Sequence, residues 1–293
     1  MRLVSFSDEA GDRLGIEAAV GRIWSSRSLG AGLPGSMAEL LAGGETALAA
    51  LRSAARSATA AERPGDVDPG SVIAPVPRPG KIIAVGLNYR DHVAEHDGTM
   101  EAPGTPVLFA KFPTSVVGNG ADVVWDPGLT AAVDLEAELA VVIGRTARRV
   151  AAAEALDHVL GYTCLNDVTA RDLQYGDRQF VRGKSLDTFC PMGPALVTAD
   201  ELGDPGHLAV RSWRNGELMQ DSDTSALIFD VPYLISFCSA AFTLEPGDVI
   251  TTGTPSGVGY FREPRVLMGD GDVMTVEVEG IGRLTNTCRE VPA

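Results

Sequence analysis

Three acidic residues in one short strand-like segment place the strongest constraint on how this chain can fold. Asp134, Glu136 and Glu138 alternate with other residues, so in a β-strand their side chains would lie on one face. Carboxylates on one face repel one another and destabilise a strand. The apolar run at 140–143 follows at once and is typical of a strand buried on both faces. Acids so close to a core are costly unless a cation or hydrogen-bond donors compensate them.

A further strand-like segment, residues 161–166, leads directly to another acid, Asp167. Oxygen ligands of this kind suit a hard divalent ion, Mg²⁺ or Mn²⁺ before Zn²⁺. An exposed acidic edge strand is the alternative interpretation of residues 134–138. The motifs on either side of this stretch favour the metal site.

Composition narrows the classes of protein to which the chain can belong. Its 293 residues allow one large domain, or one large and one small domain. The net charge of −15 argues against nucleic acid or an anionic membrane as a partner. It does not exclude an anionic small substrate, because a local metal ion and arginines can reverse the field of the whole protein. No apolar run reaches the roughly eighteen residues of a membrane span.

The cysteines and the N-terminus favour a cytoplasmic protein. No CxxC pair is present, and the four cysteines are far apart in sequence, so we expect buried free thiols in a reducing compartment. The first eight residues lack the apolar core of a signal peptide. Only three of the 24 basic residues are lysine, namely Lys81, Lys111 and Lys184, which hints that a compact ammonium is required at those positions.

Breaker-rich sequence at 63–80 divides the chain in two. We predict a small N-terminal α+β domain at 1–75 and a main domain at 76–293. In the first part, Ser36 and Glu39 form a capping box before an Ala-rich helix that ends near residue 61, with Gly43 and Gly44 expected to kink it. The second part is strand-rich. The predicted fold class is mixed α+β, mainly β.

A histidine and a glutamate follow the short buried strand at 81–86. His92 and Glu95 stand three residues apart and share a face if this segment is helical. A carboxylate beside an imidazole orients the ring, which tunes it as a general base. A solvated surface helix is the alternative. His96 lies off that face, and residues 97–105 are loop-like, as expected of a mobile lid.

Two further segments carry polar side chains suited to a binding site. Asp167, Arg171 and Gln174 would form one stripe of a helix and face one pocket, although a surface salt-bridge stripe is the alternative. The Gly-rich loop 253–259 has amides and a hydroxyl that could hold a carboxylate. A phosphate-binding loop is excluded there, because the GxxxxGK[ST] pattern is absent. Residues 272–288 are predicted to form a hairpin.

With these residues in hand, the chain resembles the fumarylacetoacetate hydrolase family over residues 81–288. The shared motifs, in order, are Val85-Gly86-Leu87-Asn88-Tyr89 with His92 and Glu95, Glu136-Ala137-Glu138, Asn166-Asp167-Val168-Thr169-Ala170-Arg171-Asp172-Leu173-Gln174, Gly183-Lys184-Ser185 and Thr252-Gly253-Thr254-Pro255. The resemblance implies a rolled β-structure as the catalytic domain, a small N-terminal domain, a homodimer, and one Mg²⁺ or Mn²⁺ ion per subunit.

The resemblance also implies roles for individual residues. The metal ligands would be Glu136, Glu138 and Asp167, while Asp134 has no ligand role in the family pattern. His92 and Glu95 would activate water, with Lys184 as a third catalytic residue that steadies an oxyanion. The implied substrate-binding residues are Arg171, Gln174, Thr254, Gly253, Tyr89 and Arg90.

The activity expected from this resemblance is metal-dependent hydrolysis of a C–C bond in an acylpyruvate-type 2,4-dioxo acid. A metal-stabilised enolate would leave as the dyad-activated water attacks the distal carbonyl. The first alternative is decarboxylation of oxaloacetate or a related 2-oxo dicarboxylate, or isomerisation or dehydration of a 2-oxo acid. An inactive binding or scaffolding homologue is the remote alternative.

Overall fold

The structure is a computed structural model, and it describes residues 1–9, 11–19, 21–95 and 101–292. The strands of these residues are β1 Arg2–Asp8, β2 Gly11–Ala19, β3 Arg22–Ser25, β4 Val72–Ile73, β5 Ile82–Gly86, β6 Val107–Lys111, β7 Val116–Val117, β8 Asp122–Trp125, β9 Val133–Asp134, β10 Ala137–Ile143, β11 Val159–Asn166, β12 Thr169–Ala170, β13 Cys190–Thr198, β14 Ala209–Arg214, β15 Glu217–Asp223, β16 Val249–Thr251, β17 Val273–Val278 and β18 Gly282–Glu290. The helices are α1 Ser26–Leu29, α2 Met37–Ala60, α3 Arg90–Glu95, α4 Arg171–Gly176, α5 Val181–Lys184, α6 Ala199–Leu202 and α7 Val231–Ala241. This strand-rich mixed architecture confirms the predicted fold class.

The strands form two large sheets and a short ribbon. The larger sheet has the order β3-β2-β1-β13-β11-β10-β16-β5-β6, with β4 paired to β1 and β7 paired to β13. The smaller sheet has the order β15-β14-β17-β18-β8, and β9 pairs with β12. Strands β17 and β18 pair antiparallel, as the predicted C-terminal hairpin requires.

The N-terminal strands belong to the larger sheet. β1 pairs antiparallel with β13, with Arg2 opposite Val197. Backbone hydrogen bonds therefore join the N-terminal strands directly to the main part of the chain. The domain boundary near residue 75 stays a prediction.

Strand β10 lies at the centre of the molecule and is buried on both faces. Val141 and Ile143 belong to a core shared with Val276 of the smaller sheet. Ala140 and Val142 face the opposite way, into a core shared with helix α2. This alternation is the reason for the uninterrupted apolar run, because both sheet faces are covered.

The structure contains the capping box and the glycine kink that the sequence predicts for α2. The Ser36 side chain accepts a hydrogen bond from the Glu39 amide, and Gly44 interrupts α2 with a φ of 55°. A 3₁₀ helix, Ala152–His158, precedes β11. Among the helices of the described residues, none has the length and apolar character needed to cross a membrane.

The pairing of four strands brings distant segments to one edge of the larger sheet. β5 and β16 are parallel, so α3 and the Gly-rich loop, which follow them, emerge side by side. β10 is antiparallel to β16, so its first residues lie at the same edge. β11 is antiparallel to β10 and ends there as well. A site at this edge can therefore draw residues from four separate parts of the chain.

Candidate metal centre and active site

Two glutamates and an aspartate meet at this edge. Oxygen atoms of Glu136, Glu138 and Asp167 all lie within 4.8 Å of one another, and the three side chains are buried. Glu138 lies within β10, and Asp167 comes one residue after β11. The structure thus brings together the predicted ligand set and excludes the exposed edge strand.

The acidic segment is not one continuous strand, which corrects the expectation for residues 134–144. β9 ends at Asp134 and β10 begins at Ala137. Between them, the Glu136 amide donates to Asn166 Oδ1 at 3.0 Å, and the Glu136 carbonyl accepts from the Asp167 amide at 2.9 Å. These bonds tie Glu136 to Asp167 across the sheet edge.

Three buried cationic side chains compensate the acids. Lys184 Nζ lies 2.6 Å from both Glu136 Oε2 and Asp167 Oδ2. Lys111 Nζ lies 2.6 Å from Asp167 Oδ1 and also donates to the Lys184 carbonyl. Arg171 Nη2 lies 2.7 Å from Glu136 Oε1. The predicted role of Lys184 at an oxyanion stays a prediction, since its ammonium here bridges two of the acids.

Glu138 is the acid of the three with no contact to a cationic side chain among the described residues. It accepts hydrogen bonds from the Thr251 hydroxyl and from the Gly253 amide, the latter at 2.9 Å. Burial, together with the charges of Asp167 and Glu136, raises the pKa of Glu138 to about 8. Burial would also raise the pKa of Glu136, but the charges of Lys184 and Arg171 outweigh it and lower that pKa to about 2. An added cation would therefore be stabilised most directly beside Glu138.

The donor set fits a hard divalent ion. All three ligands would be carboxylates. Mg²⁺ and Mn²⁺ prefer such oxygen ligands, whereas soft metals do not. The local charge also fits. Glu138 contacts no cationic side chain among the described residues, and an ion bound at the triad would supply the missing positive charge. Glu136, Glu138 and Asp167 would hold the ion.

Arg171 and Gln174 lie on the same side of the site. The Arg171 guanidinium donates to Gln174 Oε1 at 3.0 Å, and both side chains are buried. Helix α4 begins at Arg171, so Asp167 is not part of a helical stripe with them. The prediction that these three residues form one stripe of a helix is therefore wrong. The three side chains nevertheless line one cavity, because the turn after β11 brings the start of α4 back toward Asp167.

The His92–Glu95 pair forms on α3. His92 Nδ1 lies 3.0 Å from Glu95 Oε2, and the Gly257 amide donates to Glu95 Oε1 at 2.5 Å. His92 is 6% exposed, which excludes the alternative of a solvated surface helix. His96 and residues 97–100 of the predicted lid at 97–105 lie outside the described residues, which resume at 101.

The Gly-rich loop holds carboxylates of the protein itself. Its amides at Gly253, Gly257 and Gly259 donate to Glu138, Glu95 and Asp134, respectively. The prediction of a carboxylate-binding loop was thus right in kind, but these three amides hold carboxylates of the chain. A side chain at Gly257 would clash, since its φ is +103° and a Cβ would lie 2.2 Å from the Met219 carbonyl oxygen.

One cavity of about 160 Å³ joins the acids to His92 of the dyad. We call it the site cavity, and its lining residues are Val85, Gly86, Leu87, His92, Phe109, Glu136, Glu138, Asp167, Arg171, Gln174, Tyr175, Phe180, Lys184 and Thr254. Thr254 is present as predicted, but its hydroxyl donates to the Ala137 carbonyl and accepts from Gln220. Gly253 lies beside it and contacts Glu138.

Three predicted substrate-binding residues, Gly253, Tyr89 and Arg90, do not line the site cavity. Tyr89 is fully buried and pairs with Leu227 through a backbone bridge. Arg90 is exposed, donates to the Ser225 carbonyl at 3.3 Å and lines a different cavity. The physical reason is the helical geometry of α3, which directs Arg90 and His92 to different sides.

Sequence reasoning did not assign Lys111, Thr251, Tyr175, Phe109 or Phe180 to the site. A signal for Lys111 was available in the scarcity of lysine, because two of the three lysines contact the acids. No local pattern marks the three aromatic residues. They are adjacent to the acids only through the fold.

Comparisons with known proteins agree with this geometry. The family model described as fumarylacetoacetate (FAA) hydrolase C-terminal matches residues 81–289. The chain is 42% identical over 291 residues to the mitochondrial oxaloacetate tautomerase fahd2 of Xenopus laevis, covering 98% of this chain and 89% of that protein. It is 43% identical over 264 residues to the oxaloacetate tautomerase YisK of Bacillus subtilis (strain 168), covering 87% and 86%.

A solved structure, the fumarylacetoacetate hydrolase of the psychrophile Exiguobacterium antarcticum, superposes with a TM-score of 0.80 at 38% identity. The likeness covers 99% of this chain and 100% of that one. The matched model spans the acids, the dyad and the Gly-rich loop. The chain therefore belongs to the fumarylacetoacetate hydrolase family.

Proposed function

We propose that this enzyme is a divalent-metal-dependent tautomerase that interconverts the keto and enol forms of oxaloacetate or a closely similar 2-oxo acid. The observation that carries the proposal is that the acidic triad and His92, whose ring contacts Glu95, line one cavity of about 160 Å³. Sites for drug-sized ligands occupy about 300–1,000 Å³, so this cavity suits a substrate of few atoms. The names of relatives at 42–43% identity support the same substrate.

The triad accounts for substrate binding. An ion held by Glu136, Glu138 and Asp167 would supply Lewis acidity toward the carboxylate and keto oxygens of a 2-oxo acid. Arg171 and Lys184 keep Glu136 ionised, so it can serve as a ligand. Phe109 and Phe180 line the same cavity, meet edge to face at 5.6 Å and give it an apolar wall.

The dyad accounts for proton transfer. In tautomerisation a proton leaves C3 of the substrate and a proton joins the C2 oxygen, so no water is consumed. His92, held through Nδ1 by Glu95, accepts the C3 proton at its other ring nitrogen. Lys184 stands beside two triad acids and provides an N–H donor toward the developing enolate oxygen.

The C–C hydrolysis expected from the sequence resemblance is the second candidate. The same dyad could activate a water molecule, and the Exiguobacterium structure is named as a fumarylacetoacetate hydrolase. The relatives at 42–43% identity, however, are named as oxaloacetate tautomerases. The comparisons therefore support the oxaloacetate alternative over acylpyruvate hydrolysis. Homodimeric assembly remains a prediction.

The test follows three products at once. Oxaloacetate and an acylpyruvate are each supplied with Mg²⁺ or Mn²⁺ and with EDTA, and enol decay by absorbance, CO₂ release and free acid are measured. We expect metal-dependent enol decay as the fastest reaction. Faster CO₂ release would identify a decarboxylase, and faster acid release would identify a hydrolase.

Variants link the reaction to the dyad. His92→Ala should lower the rate of tautomerisation by about 10²–10⁴-fold, the usual contribution of a positioned base. His207→Ala is the matched control, because this exposed histidine lies outside the site cavity. Equal rates for the two variants would contradict the assignment of His92.

A further inference from the structure

A second carboxylate on α3 lies one helical turn before Glu95. Asp91 Oδ2 accepts hydrogen bonds from the Ser222 and Ser256 hydroxyls, each at 3.1 Å. Its Oδ1 accepts from the His92 amide at 2.9 Å. Ser222 belongs to β15 and Ser256 to the Gly-rich loop, so Asp91 joins α3 to two separate elements. We call Asp91 and the two serines the serine clasp.

The helix that carries the dyad depends on such contacts for its position. The described part of α3 is six residues long, and isolated helices of that length are not stable in water. Its N-terminal side is held by Asn88, whose side-chain amide donates to the Thr252 carbonyl at 2.7 Å. Asn88 precedes the helix, however, and cannot alone set the direction of the helix axis.

The clasp and the dyad share one support. Ser256 donates to Asp91 and the next residue, Gly257, donates through its amide to Glu95. Two adjacent loop residues thus hold two carboxylates that lie one turn apart on one side of α3. Two points of attachment restrict rotation of the helix about its axis, which a single bond at Glu95 would permit.

We propose that Asp91 is a positioning residue for His92, acting through the Ser222 and Ser256 hydroxyls. The proposal rests on the proposed function for the identity of the reaction, but the clasp itself is defined by contacts alone. Asp91 lies outside the site cavity lining, so it acts through the helix. A shift of the base by about 1 Å can cost about 10²-fold in rate, so the clasp has a measurable effect on turnover.

If Asp91 only stabilised the first turn of α3, removal of the two serine hydroxyls would not affect the helix. The bond from the His92 amide to Oδ1 stabilises the first turn of α3 whether or not the serines are present. The double variant Ser222→Ala with Ser256→Ala removes the clasp and keeps that local bond. It therefore separates positioning from helix capping.

The experiment compares four forms of the metal-loaded enzyme with the wild type. They are Asp91→Ala, the double serine variant, the triple variant that combines them, and Ser225→Ala. Ser225 is an exposed serine three residues after Ser222 and serves as the control. For each form, kcat, KM and Mn²⁺ affinity are measured, together with hydrogen exchange of the peptide that contains α3.

We expect Asp91→Ala and the double serine variant each to lower kcat by about 10- to 100-fold, with KM and Mn²⁺ affinity unchanged. The triple variant should be no slower than Asp91→Ala, because all three residues act through the same bonds. Exchange at α3 should be about tenfold faster in all three and unchanged in Ser225→Ala.

The proposal would be overturned if the double serine variant kept the wild-type kcat and the wild-type exchange rate at α3. It would also be overturned if the fold-loss of kcat in the triple variant equalled the product of the losses in Asp91→Ala and the double serine variant. Failure of the proposed function is distinguishable from either result. In that case the wild type does not tautomerise oxaloacetate, while exchange at α3 still reports on the clasp.

Discussion

Asp134 Oδ2 accepts two hydrogen bonds from Arg171, from Nη2 at 2.8 Å and from Nε at 3.0 Å, and both side chains are buried. Arg171 in turn contacts Glu136 at 2.7 Å. The amides of Leu135 and Gly259 donate to Asp134 Oδ1, and the Tyr260 amide donates to Oδ2. Asp134 therefore orients the arginine that keeps Glu136 ionised, and it lies outside the group of three acids.

Replacement of Asp134 should be strongly destabilising. Asp134→Ala leaves the buried Arg171 with less compensating charge, and breaking a buried pair in this way costs about 3–5 kcal/mol of unfolding free energy. Urea denaturation in EDTA measures the change. Asp177→Ala breaks the exposed pair with Arg182 and should leave the denaturation midpoint unchanged. Similar midpoints for the two variants would show that the buried pair contributes little.

Replacement of Glu138 should separate metal binding from folding. Glu138→Gln keeps an acceptor for Thr251 and Gly253 but removes the carboxyl group that would ionise to bind the ion. Calorimetry should show Mn²⁺ affinity reduced by more than the about 10–100-fold typical of residues outside the ligand set. The metal-free variant should be at least as stable as the metal-free wild type. Exposed Glu154→Gln is the control, and undiminished Mn²⁺ binding by Glu138→Gln would refute its role as a ligand.

The stability of the metal-free protein should decrease as pH rises through neutrality. Folded Glu138 keeps its proton up to about pH 8, whereas an unperturbed glutamate loses it near 4.5. Between these values the unfolded state binds fewer protons, so the unfolding free energy falls with rising pH and then levels off above about pH 8. Glu136, with a pKa of about 2, has the opposite sign, and its contribution is lost only as pH falls from about 4.5 toward about 2.

Urea denaturation in EDTA from about pH 5 to about pH 8 measures this dependence, and Glu138→Gln supplies the comparison. The variant should show a flatter profile over that interval, because the titrating group is gone. Parallel profiles for the wild type and the variant would assign the pH dependence to other groups.

Loss of Lys111 should impair the site even though no sequence motif points to it. Lys111→Met removes the ammonium that holds both Asp167 and the Lys184 carbonyl, so we expect about a 10–100-fold loss of activity or metal affinity. Lys81→Met is the matched control, since Asp248 keeps backbone donors from Lys81 and Glu245. Equal activity of both variants would mean that Lys184 alone is sufficient.

Much of the site was predictable because its signals are local. The acids around β10 conflict with the apolar run that follows, and that conflict together with the flanking motifs predicted a buried charged site. The three-residue spacing of His92 and Glu95 is a property of one helical turn, so the pair forms as expected. The capping box at Ser36 and the C-terminal hairpin are likewise determined by neighbours in sequence.

The sequence by itself thus determined the fold class, the three acids and the dyad. Only the tertiary structure decided that Asp134 orients Arg171, that Lys111 supports Asp167, and that the Gly-rich loop holds carboxylates of the chain. It also decided that Arg90 faces away from the site cavity. The physical reason is that these contacts depend on the pairing of strands that are distant in sequence, namely β9 with β12, β10 with β16, and β5 with β6 and β16. Sequence periodicity reports the burial of a side chain, but it does not report which distant partner compensates its charge.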